Sequence, residues 1–541
     1  MKSNDPLMWV HQKTLQAREC AKNGDVSKAY QLMNEVIEYY ESTGNVSQKI
    51  YATLNQARII RSGSQLSLGQ IYRTMEKVSA AKDIALSKDL LSLAIDCDRY
   101  LLKTSLMVEN DELIDEYASE ILVRLINLRR SLSQDSDRIR FADEIVGLIS
   151  ECVSYYLEKG KIIRAFELQE WVRTQAFTDI LVEKSMDEYS ELIDFTKTKE
   201  LLLSLKRPTV LVTMAVINDG LVFFALKPEH EKPSVFQTDI TQSDLQNLIN
   251  TYEREVITFR GRSTDLWIEL ARDMFSKIEH VIDQDILVIL IPHGDLLKLP
   301  LHAIQLSNGQ PLIAKASVVY IPNITSLKIL ISKKTREVKF NILSIGVGKT
   351  SGPKPVRMFE DEARAIIQRF PGMCLSGKEI PKSEIKRHLP TANILHFSCH
   401  GLFDSENYME SGLVLTTKEK LLKKNILSFR DLLGWQLEGQ LVTLSACGTT
   451  RGTITPSDFL DLGRGFLSAG ASAVIATLWS VNTDSTTQLM LSFYDNLRSQ
   501  KENGKLFDYA EALRKAQQKL AKKLGYYDWA GFKLIGAPSE S

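Results

Sequence analysis

Residues 440–450 read QLVTLSACGTT, and residues 393–401 read NILHFSCHG. Each begins as an apolar, β-branched run of the kind that fills a sheet covered on both faces. Each ends in reactive residues beside a glycine. In the first stretch the apolar body stops at Ala446-Cys447-Gly448. In the second it stops at Ser398, leaving Cys399-His400-Gly401 where the strand departs the sheet. Open α/β sheets carry their sites at the carboxyl ends of strands, so the two tips are expected side by side. A thiol and an imidazole brought together in this way suffice for acyl transfer. The thiolate attacks a carbonyl carbon, and the imidazole handles the proton that passes to the leaving amine. Cys447 is the candidate nucleophile and His400 the candidate acid–base. Without a Cβ at Gly401 or Gly448 the backbone can approach a substrate closely, and the amides of Gly401 and Cys447 are the candidate oxyanion donors.

Downstream of Lys339, strands and helices alternate around these tips. FNILSIGVG (340–348) reads as a strand and EDEARAIIQRF (360–370) as an acid-capped helix. SGLVLTT (411–417) and ASAVIATLWS (471–480) read as strands, and 458–470, 486–500 and 508–524 as helices. Such alternation predicts a mostly parallel α/β sheet. Upstream, TVLVTMAVI (209–217) and GLVFFAL (220–226) form a hairpin signal at Asn218-Asp219-Gly220. Two helical stretches follow, then ILVILIP (286–292) and SVVYIPN (317–323).

Residues 1–205 read as helix after helix, with apolar residues at three- and four-residue spacing, as in AYQLMNEVIEYYES (29–42). Two segments look like copies of one unit, 20–40 with Gly24 and Ala29, and 157–177 with Gly160 and Ala165. A glycine turn followed by a small residue lets paired helices approach closely, the pattern of tetratricopeptide repeats. Residues 51–103 and 109–130 fit helices of similar length, but their sequence sets no register. The alternative is a generic helical bundle.

The chain of 541 residues calls for two or three domains. Lys plus Arg equals Asp plus Glu at 67 each, so no global basic footprint points to nucleic acid. No apolar run approaches the ~20 residues needed to cross a bilayer, and the N-terminus lacks the apolar core of a signal peptide. Six cysteines without paired spacing argue for a reduced compartment, so the cytoplasm is the expected location. Cys399 and His400 have no second ligand pair at zinc spacing, so no metal and no cofactor is expected. His396, on the same face of its strand as His400, and Cys399 read as core residues.

Several motifs, in order, resemble the CHAT domain, a caspase-like peptidase domain related to separase and associated with tetratricopeptide repeats. They are IPHGDLLKLPLHAI (291–304), HFSCHGLFD (396–404), SGLVL (411–415), LSACGTTRG (444–452), 462–494, ALRKAQQKL (512–520) and WAGFKLIG (529–536). AFELQEWVRTQAF (165–177) looks like the last helical repeat before such domains. The resemblance implies a helical repeat domain at 1–205, a degenerate caspase-like half at 206–335 and an active half at 336–541. It puts the catalytic pair on His400 and Cys447, and its acidic residue after the cysteine motif is matched only loosely, by Asp458. In separase-like enzymes an acid after a strand like ATLWS holds the P1 side chain. Here that position is Asp484, which would favour Lys or Arg, and which is equally suited to cap the following helix. The lysine-rich 418–425 reads as a solvated loop, or alternatively as a regulatory, self-cleaved one.

Taken together these features predict an endopeptidase for limited cleavage of a protein substrate recruited by the helical repeats. The resemblance extends this to bacterial defence or cell death, with a gasdermin-like effector as substrate. The rivals are a catalytically silent adaptor and a hydrolase of small molecules.

Overall fold

The computed structural model describes residues 5–540 except 63–65, 132–134, 174–180, 182–192, 219, 259–265, 334–339, 349–357, 403, 405–406, 419–424, 447–452, 455–458, 461 and 480–482. For 125–131, 135–145, 257–258, 266, 270, 358, 408, 453–454, 459–460 and 483 it describes the backbone alone. The chain forms two compact units, Met1–Gly160 and Lys161–Ser541.

The first unit is a run of helices: Pro6–Lys22, Val26–Ser42, Val46–Arg61, Leu68–Ser87, Leu91–Met107, Asp111–Ser131 and Asp135–Glu158. Asp5, Asp25 and Asn45 accept backbone N–H bonds at three successive helix starts, and Ser67 and Gln70 form a capping box at the next. Ala17, Ala21 and Ala29 are fully buried with Leu32, Met33 and Ile59, so small side chains do set the close approach of the first helix pair. Turn residues with positive φ recur at Gly24, Gly44, Asp89 and Glu109. They supply the register that 51–130 hides in sequence, because two of these turns carry no glycine. A buried charge cluster joins the middle helices. Asp98 lies 3.6 Å from Lys82 Nζ and accepts from Arg124, and both cations also meet Glu120.

The second unit is built on one sheet. Its strands are β1 Thr209–Ile217, β2 Gly220–Leu226, β3 Ser234–Thr241, β4 Leu287–Ile291, β5 Ser317–Tyr320, β6 Ile342–Val347, β7 Gly372–Gly377, β8 Ile394–Leu402, β9 Gly412–Val414, β10 Ile426–Ser428, β11 Leu441–Ala446, β14 Ala473–Thr477 and β15 Phe532–Gly536. A separate hairpin pairs β12 Thr453–Ile454 with β13 Phe459–Leu460. The helix expected over 458–470 is therefore shorter, Leu462–Ser468, because Phe459–Leu460 is drawn into that hairpin.

Strand order is β10-β9-β8-β11-β14-β15-β5-β4-β1-β2-β3, with β6 and β7 added beside β8. Pairs β7–β6–β8–β11–β14 and β5–β4–β1 are parallel, while the outer hairpins are antiparallel. Every residue of β4, β6, β11 and β14 is buried, the result of cover on both faces. β15 joins the two groups of strands, antiparallel to β14 and parallel to β5. Its Lys533 is nearly buried and donates to the Leu297 carbonyl at 3.0 Å.

The helix Ile162–Trp171 and the residues just after it belong to this sheet unit. Arg173 closes the carboxyl ends of β1 and β4. Its guanidinium donates to the carbonyls of Met214, Ile291 and Pro292, and Glu170, buried beside it, accepts from Thr213. No described helix is long and apolar enough to cross a membrane.

Candidate active site

β8 runs between β6 and β11 as far as Ser398, with Gly346 of β6 opposite Ser398 and Ala446 of β11 opposite Cys399. It then continues beyond β6 and exchanges partners, so that His400 stands opposite Val414 of β9 and Gly401 opposite Leu413. The burial pattern changes at the same place. Residues 394–399 are buried and His400 is exposed. His400 is thus the first solvent-facing side chain at the carboxyl end of a central parallel strand.

The exposed imidazole is not left to itself. Its ring meets Phe359 edge-on, with centroids 4.9 Å apart and planes at 89°. Phe359 lies in the first turn of the helix Met358–Arg369, which packs on β6, β7 and β8. Two glycines at the end of β6 make that approach possible. A Cβ on Gly346 would lie 2.6 Å from the Phe359 carbonyl oxygen and 2.7 Å from Ala363 Cβ, and one on Gly348 would collide with the Glu360 carboxylate.

Beneath His400, His396 is fully buried. Its Nδ1 lies 2.8 Å from Thr443 Oγ1 and 3.0 Å from the Tyr494 hydroxyl, which are themselves 2.6 Å apart. Burial pushes the Tyr494 phenol up, keeping it protonated. Glu362, one turn along the helix from Phe359, brings Oε1 within 3.1 Å of His396 Nε2, and both side chains are sealed from solvent. The approach lacks hydrogen-bond alignment, and neither Glu362 oxygen finds another partner among the described residues. Cys399, on the opposite face of the strand, is wholly buried.

On the neighbouring strand, the Thr477 hydroxyl at the end of β14 donates to the Ala446 carbonyl at the end of β11. Cys447 and Gly448 follow Ala446 in the chain and lie outside the described residues, as do Asp458 and 419–424 of the lysine-rich loop. β14 is parallel to β11, so β8, β11 and β14 present their carboxyl ends at one edge. The segment after β14 is pinned from below. Trp479 is buried, stacks on Tyr527 and donates to its carbonyl at 2.9 Å, and Ser485 Oγ lies 2.8 Å from Asp528 Oδ1. Asp484, between these anchors, is exposed in the first turn of the helix Thr483–Glu502. It stands inside the helix, past the capping position, where a carboxylate favours the helix dipole.

The counterpart strand end in the other half has different chemistry. His293, two residues past β4, has its pKa pushed down to about 3 by burial and by the Arg173 charge, which keeps its imidazole neutral. Among the described residues no group of three or more His, Cys, Asp or Glu is placed to hold a metal ion. Phe359, Glu362 and Thr477 are the contributors that motif spacing does not reveal, since each acts across the fold. The glycines of SIGVG (344–348) were the one available signal, marking a close approach of backbone to something.

Residues 269–537 match the CHAT domain family. Tetratricopeptide repeat protein 28 of Mus musculus is 33% identical over 118 residues, which are 21% of this chain and 5% of that protein. The Homo sapiens protein of the same name is 23% identical over 304 residues, 46% of this chain and 12% of that one. The chain therefore spans only a small part of these curated relatives. Among solved structures, separase from Saccharomyces cerevisiae in its complex with securin superposes with a TM-score of 0.51 at 10% identity, over 99% of this chain and 49% of that one. The sheet unit thus has the separase-like, caspase-like fold, residues 269–537 match the CHAT domain family, and a run of paired helices precedes them.

Proposed function

We propose that the chain is a cysteine endopeptidase that performs limited cleavage of a protein substrate with Cys447 as nucleophile and His400 as acid–base. The observation that carries this reading is the parallel ladder of β8 and β11. It ends on the pair Cys399–Ala446, the residues immediately before His400 and Cys447 in the chain, and His400 is exposed there. In the proposed reaction the Cys447 thiolate attacks the scissile carbonyl carbon, and the amides of Gly401 and Cys447 hold the resulting oxyanion. The tetrahedral species collapses as His400 gives its proton to the leaving amine. Water, deprotonated by His400, then hydrolyses the thioester and restores the thiol.

Asp484 is the proposed selector of a basic P1 residue, and the helical repeats recruit the substrate or a regulator. Activation of a defence or cell-death effector, a gasdermin-like protein among them, is the biological setting the reading favours, in the cytoplasm and without a cofactor. A peptide library incubated with the wild type, Cys447→Ala and His400→Ala tests it. Cleavage that needs both side chains is expected. Cleavage indifferent to Cys447, or none with any sequence or under any activating condition, would point to an adaptor instead.

A further inference from the structure

The two glycines that let the helix Met358–Arg369 lie on the end of β6 have a consequence for the candidate imidazole. An exposed histidine on a strand tip has two free torsions and several rotamers, and only a few of them aim a ring nitrogen toward a neighbouring strand. Fixing one of them is worth a substantial part of a catalytic rate, since small misplacements of an acid–base are costly. Here one side of the His400 ring is occupied by Phe359 in an edge-on contact at 4.9 Å. Phe359 is in turn fixed by its helix, whose Glu362 reaches the buried His396 on the same face of the same strand. The helix therefore touches β8 at two points, one buried and polar, the other exposed and aromatic.

We propose that Phe359 is a positioning residue for His400, holding the imidazole in one orientation, and that Glu362, buried within 3.1 Å of His396, seats the helix on β8 beside it. The inference rests on the peptidase reading of His400 and Cys447. Buried carboxylates are ordinarily satisfied by hydrogen bonds, and a carboxylate with none, enclosed against His396, is a feature that packing alone would not select. The titratable groups near the contact are few. The helix carries Glu360, paired with Arg364 at 3.0 Å, together with Asp361, Glu362 and Arg369. β8 carries His396, Cys399 and His400, β7 carries Cys374, and the helix Thr483–Glu502 brings Tyr494 to within 3.0 Å of His396 and Asp495 to within 2.6 Å of Arg369, while β6, β9 and β11 carry none among their own residues.

The test reads the imidazole through the thiol, without a substrate. The full chain is treated with iodoacetamide between pH 5 and 9, and alkylation of Cys447 is followed by mass spectrometry of its peptide. His400→Ala removes the imidazole and gives the reference profile of an unassisted thiol. For Phe359→Ala and Phe359→Leu the rate at pH 7 is expected to fall about tenfold, with the profile moved toward that of His400→Ala. Phe359→Tyr, which keeps the ring, is expected to retain the wild-type profile, and Glu362→Gln to fall between. Circular dichroism and thermal melts confirm that each variant is folded, and the leucine variant, which keeps apolar volume, guards against collapse of the site. If both Phe359→Ala and Phe359→Leu superpose on the wild type while His400→Ala does not, the positioning role is overturned and the dyad stands. If Phe359→Tyr falls as far as Phe359→Ala, the residue is only packing. If His400→Ala itself leaves the profile unchanged, the dyad reading fails and the inference fails with it.

Discussion

Ala446 stands opposite Cys399 in the parallel ladder of β11 and β8, and the Thr477 hydroxyl of β14 holds the Ala446 carbonyl from the next strand over. Three central strands are thus tied together at the edge where the candidate chemistry lies.

Thr477→Val keeps the shape and removes the donor, leaving a buried carbonyl without its bond. A stability loss of about 1 kcal/mol is expected in urea denaturation. Cleavage by the candidate enzyme should fall by a larger factor than stability alone accounts for, with the choice of P1 residue unchanged. Equal activity at full folding would show that the end of β11 needs no such anchor.

Asp484 is exposed within the first turn of its helix, where its charge also favours the helix dipole. If it holds P1, Asp484→Asn should lower cleavage after Arg or Lys by about 100-fold, while cleavage after neutral residues stays within about threefold. A uniform fall across all P1 residues would assign it a merely structural part.

Arg173 satisfies the Met214 carbonyl within β1 and two carbonyls at the end of β4, and it pairs with Glu170 in the same dry space. Arg173→Met should cost about 3–5 kcal/mol, because it strands a buried carboxylate along with those carbonyls. The double variant Glu170→Gln, Arg173→Met should be the more stable of the two. An unchanged urea midpoint for the single variant would contradict this account of the clamp.

His302 is buried, with Nδ1 2.9 Å from the Tyr320 hydroxyl, and burial pushes its pKa down to about 3 from 6.5. The unfolded chain takes up a proton below pH 6.5 that the folded chain refuses. Stability is therefore full above that pH and is lost as pH falls toward 3. Between pH 7 and pH 5 the wild type should lose about 2 kcal/mol more than His302→Gln. Parallel stability curves for the two proteins would remove His302 from the acid response.

The helical unit and the tips of β8 and β11 illustrate what a sequence makes legible. Gly24 and Ala29 announced a turn and a close helix pair, because only a residue without a Cβ takes that φ cheaply and only small side chains allow that approach. Two later turns are closed by Asp89 and Glu109 in the same left-handed region, and no composition rule reveals them. Likewise β3, half exposed and polar, and β15, five residues beside a tryptophan helix, have no periodicity of their own.

Sequence by itself determined that this chain carries a helical array and a buried sheet, and that the apolar runs leading to His400 and to Ala446 are strands of that sheet. Apolar runs that break at reactive residues are a local property. Tertiary structure alone decided that β15 joins the two strand groups, that Arg173 closes the strand ends of the first, and that Phe359 meets the imidazole of the second. Those outcomes depend on which distant segments pack together, and that is set by the free energy of the whole core rather than by any short stretch of residues.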